Sequence, residues 1–420
     1  MTADLTRLHE RARLARAAVP LLQAAGPQQR ATGIRAMATS LRAAMPTILS
    51  ANASDMQGAE ATGLSAAMLD RLRLDEQRLL GIAASLDAIA ALPDPIGRVI
   101  AETERPNGLR IQRVSVPLGV VGIIYESRPN VTADAAAICL KAANAVVLRG
   151  GSESAASAHA IVEALQQALA DSGLPPSAVQ MAPSQDRALV GAMLGGLQGQ
   201  LDVLVPRGGR GLVERVQQEA RVPVIGHLEG LCHVYVHSAA DLDMAVDIAV
   251  NAKLRRTGIC GAAETLLIDA DWPTTHATRL VTALLDAGCE LRGCVRAGAL
   301  SSAIQPATEE DWRTEYLAPI LAVRVVDNMA AALAHIGHYG SGHTESIITE
   351  DSAVAEQFLK AQDSAIVMHN ASTQFADGGE FGMGAEIGIS TSRIHARGPV
   401  GANELTSYKH VVRGSGQIRP

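Results

Sequence analysis

The chain has 420 residues, more than one simple core accommodates, so two or three domains are expected. Apolar residues make up 48% and charged residues 19%, enough to bury a large core, while aromatics at 2% favour small-residue helix packing over an aromatic stacking surface. The net charge of −7 excludes the basic balance that nucleic acid or an anionic membrane calls for, so any anionic ligand needs a local cluster of donors.

Cys139, Cys232, Cys260, Cys289 and Cys294 are odd in number and form no CxxC pair. That excludes a disulfide framework or zinc ribbon and fits a reducing compartment. Near the start, Arg7, Arg11, Arg13 and Arg16 are interrupted by Asp4 and Glu10, and no apolar signal core follows. No run reaches transmembrane length. The expectation is a soluble, cytoplasmic protein with no membrane or nucleic-acid partner.

Residues 1–105 read as almost wholly helical. Leu69, Leu72, Leu79, Leu80, Ile82, Leu86 and Ile89 recur at helical spacing until Pro93 and Pro95. Residues 109–117 alternate as a two-faced strand. From residue 119, apolar strands alternate with helices: 119–125, 145–149, 178–182, 202–206 and 222–226, then 232–237, 264–269, 320–326, 345–350 and 364–370. Two such series predict two doubly wound α/β domains with parallel sheets and a cleft between them. Residues 371–406 are too rich in Gly, Ser and Thr for a core element. The tail at 407–412 reads as a strand that pairs either with 109–117 or with another subunit.

Cys260 falls between a helix expected to end near Arg255 and a strand expected to begin near Glu264. Gly258 and Gly261 flank it, and Arg255 and Arg256 lie just upstream, where they would favour a thiolate. On this segment alone a nucleophile and an inert loop cysteine are equally good readings. Cys139, in an apolar helix, reads as core, and Cys289 and Cys294 lie in an irregular stretch with no assigned role. RGGSES (149–154) and PRGGRG (206–211) each follow a strand, and their backbone N–H groups suit phosphate. Either alone is an ordinary tight turn. Two together, with Arg149 and Arg207, point to a dinucleotide. His335 and His338 share a helical face without a completing carboxylate, which reads as a solvated face rather than a metal site.

With these features in place, the chain resembles the aldehyde dehydrogenase superfamily and, within it, the γ-glutamyl phosphate reductase branch. The resemblance rests on residues 116–154, VLVPRGGRGL (203–212), AALAHIGHYGSGHTESI (331–347) and FADGGEFGMGAEIGISTSRIHARGPVG (375–401). It implies an aldehyde dehydrogenase-like fold: an NADP-binding domain over 1–104 and 119–225, a catalytic domain over 226–390, and an oligomerisation element of a hairpin at 105–118 with residues 400–420. It implies Cys260 as nucleophile, with its backbone N–H in the oxyanion hole. It places Arg149, Gly150, Gly151 and Ser152, then Pro206, Arg207, Gly208 and Gly209, on the NADP(H) phosphates and ribose, and Glu315 on the nicotinamide ribose. No metal is implied.

Three departures stand out. Ser127 replaces the superfamily's oxyanion-hole asparagine. Gly226 stands where hydrolytic members carry a water-activating glutamate, with Glu229 nearby but out of register. Residues 256–261 (RTGICG) differ from the branch's more common RPxxCN. The implied reaction is NADPH-dependent reduction of L-glutamyl 5-phosphate to L-glutamate 5-semialdehyde and phosphate, the second step of proline biosynthesis. Arg128 and Arg256 are candidates for the acyl phosphate, and His395 and Arg397 for the α-carboxylate, with surface salt bridging as the alternative for each. A homo-oligomer is implied, with any contact to a glutamate 5-kinase made between chains. The competing readings are a hydrolytic aldehyde dehydrogenase and a non-catalytic, cofactor-binding subunit.

Overall fold

A computed structural model describes residues 3–419. They divide into two compact units. The first runs to Gly226 and includes Gly382–Gly388 and the chain from Val400 onward; the second is His227–Phe381 with Ile389–Pro399.

The first unit opens with five helices, Ala3–Ala24, Pro27–Ala43, Met45–Ala61, Ala66–Leu72 and Glu76–Ala91. The apolar repeat expected to be continuous from Leu69 to Ile89 is broken at Arg73–Asp75. There Asp75 turns extended and its carboxylate caps the next helix, accepting from Arg78 N at 2.7 Å. Arg30, 2% exposed, pairs with Asp94 at 2.8 Å and so ties the second helix to the proline-rich bend. Strands β1 (Val99–Glu104) and β2 (Arg110–Pro117) form an antiparallel hairpin. Strands β3 (Val120–Tyr125), β4 (Ala145–Arg149), β5 (Val179–Met181) and β6 (Val203–Arg207) make a parallel sheet in the order β5-β4-β3-β6. Every residue of β3 and β4 is buried, as strands covered on both faces require. The strand expected at 222–226 reduces to one bridge, Leu204 with Val224. Cys139 is fully buried in helix Asn130–Lys141.

The second unit holds seven parallel strands: β7 (Cys232–Val236), β8 (Ala263–Asp269), β9 (Glu290–Gly293), β10 (Gln305–Pro306), β11 (Ile320–Val326), β12 (Thr344–Ile348) and β13 (Ile366–His369). Their order is β10-β9-β11-β8-β7-β12-β13. The stretch around Cys289 and Cys294, expected to be irregular, contains β9, which is too short to register as a pattern. His335 is another correction. It is 5% exposed, packs on His233, Trp312 and Tyr339, and burial pushes it down to about 3, so only His338 sits on a solvated face. β14 (Ile389–Ser390) pairs with β15 (Gly398–Pro399).

β16 (Thr406–Arg413) returns to the first unit and pairs antiparallel with β2, Thr406 opposite Pro117 and Arg413 opposite Arg110. The tail strand therefore completes a sheet within its own chain. No helix among the described residues is long and apolar enough to cross a membrane.

Candidate active site

In the second unit, four polar residues precede four neighbouring parallel strands. Glu315 comes before β11, Cys260 before β8, His227 before β7 and His343 before β12. Those strands are adjacent in the order β11-β8-β7-β12, so their N-terminal ends share one edge of the sheet and these leading segments converge there.

The Cys260 loop runs from the end of helix Leu242–Leu254 to the start of β8. Its two ends are joined by Lys253 and Glu264, whose Nζ and Oε2 lie 2.5 Å apart with side chains 0% and 2% exposed. Glu264 Oε1 also accepts from Leu317 N at 3.4 Å, which ties the Glu315 loop to the same pair. Gln374 donates to Ala252 O at 2.8 Å, a carbonyl the helix leaves open in its last turn, and to Arg256 O at 3.3 Å in the loop beyond it. Gly230 lies hard against the Cys260 backbone, for a Cβ there would stand 2.1 Å from Cys260 O. Cys232 donates its thiol to the same oxygen at 3.0 Å.

Cys260 is half-buried. One nitrogen of His227, one of His343 and the Cys260 sulfur lie within 4.8 Å of one another. Burial pushes the thiol up, but His343 and His227 together outweigh it and hold the thiol well below the usual range. Each imidazole is oriented through Nδ1, His227 by Ile389 O at 2.7 Å and His343 by Thr344 Oγ1 at 2.8 Å. The rings meet edge to face at 4.8 Å. The pull on the thiol was expected from Arg255 and Arg256; both side chains are exposed, and the two histidines supply it instead. Glu315 accepts from Gly230 N at 3.0 Å, and burial raises its carboxyl.

In the first unit the two glycine turns end β4 and β6, at the carboxyl edge of that sheet. Arg149 is 9% exposed and donates from its Nη2 to Gln185 O at 2.8 Å, while its buried Nε has no partner. A Cβ on Gly150 would press on the Tyr125 ring at 3.1 Å. Carboxylates from the chain itself occupy both turns. Glu153 Oε1 accepts from Ser127 N at 2.6 Å and Ser127 Oγ at 2.7 Å, and its Oε2 accepts from Ser152 Oγ at 3.4 Å. Glu126 accepts from Gly209 N at 3.0 Å, at the start of helix Arg210–Glu219. Arg207 pairs with Glu386 at 3.6 Å. Gly226 rests on Pro206, whose Cγ a Cβ would meet at 3.2 Å, so there is little room for a side chain there.

The aldehyde dehydrogenase family model matches residues 2–311. The γ-glutamyl phosphate reductase of Methylobacterium sp. (strain 4-46) is 62% identical over 373 residues, covering 89% of this chain and 86% of that protein. That of Brucella suis biovar 1 is 56% identical over all 420 residues, covering 100% of both. The crystal structure of the Thermotoga maritima γ-glutamyl phosphate reductase superposes with a TM-score of 0.95 at 43% identity, covering 98% of this chain and 100% of that one. The chain belongs to the γ-glutamyl phosphate reductase family of the aldehyde dehydrogenase superfamily.

The remaining residues expected from the family resemblance are placed as follows. Ser127 has φ 43° and both its donors on Glu153. Arg128 lies in the turn before helix Asn130–Lys141, its carbonyl accepting from Val131 N at 3.0 Å. Arg397 donates to Asp363 Oδ1 at 2.6 Å and to the Asp363 carbonyl, as a salt-bridging residue does. His395 is exposed with φ 70°. Glu229 is half-buried and close enough to Glu315 to raise its carboxyl. Sequence reasoning missed His227 and His343. The available signal was position: each lies a few residues ahead of an apolar strand, as Cys260 does.

Proposed function

We propose that this chain reduces L-glutamyl 5-phosphate to L-glutamate 5-semialdehyde and phosphate with NADPH as hydride donor. The observation that carries this reading is the Cys260 thiol, drawn down by His343 and His227, in a chain that matches reductases of that name over their full length.

Cys260 gives its proton to one of the two imidazoles, and the thiolate attacks the acyl carbon. The carbon–oxygen bond to phosphate breaks, phosphate leaves with the electron pair, and the imidazole proton goes with it. A thioester on Cys260 remains. When bound, the nicotinamide cofactor supplies a hydride to the thioester carbon. The Cys260 backbone N–H faces the oxygen that gains charge, and the thiohemiacetal then collapses, releasing the aldehyde and regenerating the thiolate.

The residues that would hold the dinucleotide are Arg149, Gly150, Gly151 and Ser152 on one turn, Pro206, Arg207, Gly208 and Gly209 on the other, and Glu315 at the ribose. The buried, unpartnered Nε of Arg149 and the glycine turns suit phosphate. Glu153 and Glu126 sit where anions would go, so cofactor entry displaces both carboxylates. Arg128 and Arg256 are assigned to the acyl phosphate and His395 to the α-carboxylate, which Arg397 joins on exchanging Asp363 for it. Ser127 serves as second oxyanion donor once it parts from Glu153. Subunits join through the β1-β2-β16 sheet, where β1 is exposed throughout and Val99, Ile100, Tyr408 and Val412 are about half exposed.

The test is to run the oxidative direction with glutamate semialdehyde and NADP, with and without phosphate, trapping product with hydroxylamine. NADP reduction should require phosphate and yield the acyl hydroxamate, because crowded Gly226 provides no general base for water. Equal rates without phosphate would overturn the reading.

A further inference from the structure

We infer that His227, Cys260 and His343 form a site for a borderline-soft divalent cation such as zinc, whose binding reversibly withdraws the nucleophile. The three ligand atoms lie within 4.8 Å of one another. Zinc bonds of about 2.3 Å to sulfur and 2.0–2.1 Å to nitrogen set tetrahedral ligand atoms about 3.3–3.6 Å apart, which small side-chain rotations reach from here. The donor set is right for the ion, one thiolate with two imidazoles, and it leaves a fourth position open to water.

Two independent observations point to a ligand. His343 is 0% exposed, yet its Nε2 has no hydrogen-bond partner, which a buried imidazole nitrogen ordinarily acquires. Both rings also carry the outer hydrogen bond typical of metal-bound histidine, through Nδ1 to Ile389 O at 2.7 Å and to Thr344 Oγ1 at 2.8 Å. Those bonds hold the rings in place before an ion arrives. Binding requires the Cys260 proton to leave for solvent and involves no change of oxidation state. Cation and acyl substrate then compete for one sulfur, so zinc is an off-state for the enzyme.

The full-length protein, stripped with EDTA, is titrated with zinc against a chromophoric chelator. One equivalent should bind per chain, with parallel loss of Cys260 alkylation, and EDTA should reverse both. Cobalt(II) in place of zinc should show thiolate-to-metal charge transfer and the strong visible bands of a four-coordinate ion. Cys260→Ser should abolish the charge-transfer band and weaken zinc binding by about tenfold or more, and His343→Gln should weaken it by about ten- to a hundredfold. Unchanged zinc affinity in Cys260→Ser, or a cobalt spectrum without charge transfer in the parent protein, overturns the proposal. Should His343→Gln fail to fold, the cobalt spectrum and Cys260→Ser still decide. Neither readout uses an acyl phosphate or a dinucleotide, so failure here leaves the proposed reaction standing.

Discussion

Lys253 Nζ and Glu264 Oε2 meet at 2.5 Å, out of water, at the two ends of the loop that carries Cys260. Burial pushes Glu264 up to about 7 even though Lys253 pulls it down. A carboxyl raised on folding contributes its stability fully below its unfolded value and loses it as pH rises through about 7. Without Lys253 the raised value climbs further and the loss above it deepens. Lys253→Met should therefore cost about 3–5 kcal/mol at pH 8, because Glu264 must there either stay buried as an unpaired charge or take up a proton against the solution pH. It should cost distinctly less at pH 5, where Glu264 is neutral. Denaturant unfolding at the two pH values is the measurement, and an equal loss at both would refute this account of the pair.

The second expectation concerns the thiol. Because Cys260 is held well below its ordinary range by His343 and His227, its thiolate forms at lower pH than that of an ordinary cysteine and is lost only as pH falls through that lowered range. Iodoacetamide labelling should be level across neutral pH and decline on the acid side. His343→Gln removes the larger of the two influences that lower the thiol, so the inflection should move to higher pH. A labelling profile that rises only towards pH 9 in the parent protein would remove the two histidines from the mechanism.

Gly230 bears on geometry rather than protonation. A methyl group there would sit 2.1 Å from Cys260 O, and a backbone atom cannot swing aside as a side-chain tip can. Gly230→Ala should shift Cys260, the proposed nucleophile, and lower kcat by about a hundredfold, the scale of a misplacement near 1 Å. Cys260→Ala should abolish turnover while NADPH binding, followed by fluorescence, stays nearly intact in both variants. A Gly230→Ala enzyme with full kcat would mean that the loop tolerates the displacement.

Cofactor choice turns on two neighbours. Ser152 is uncharged in the turn proposed to hold the dinucleotide, and Ser152→Glu, which would set a carboxylate against a ribose 2′-phosphate, should shift preference towards NAD. Glu153 opposes NADP, since its carboxylate lies beside Ser152, with Oγ and Oε2 3.4 Å apart. Glu153→Gln keeps an acceptor for Ser127 but removes the charge, so KM for NADPH should fall by a few-fold while KM for NADH changes little. Steady-state kinetics with both dinucleotides is the check. Equal use of NAD and NADP by the parent enzyme would count against the argument.

The sequence by itself determined whatever depends on neighbours along the chain. Apolar runs marked strands 120–125 and 145–149, because a strand covered on both faces needs mostly apolar side chains. Glycines beside Cys260, and after β4 and β6, marked the turns, because close backbone approach is a local demand. Only the tertiary structure decided what those segments meet. His227 and His343 share with Cys260 a position just ahead of an apolar strand, but nothing local to either says that it reaches the thiol. They reach Cys260 because β7 lies between β8 and β12 in a parallel sheet, which brings their leading segments to one edge. The same holds for β16, whose partner β2 lies almost three hundred residues earlier in the chain. Strand order is set by which faces bury best against one another, and a single strand's pattern carries no record of its neighbour.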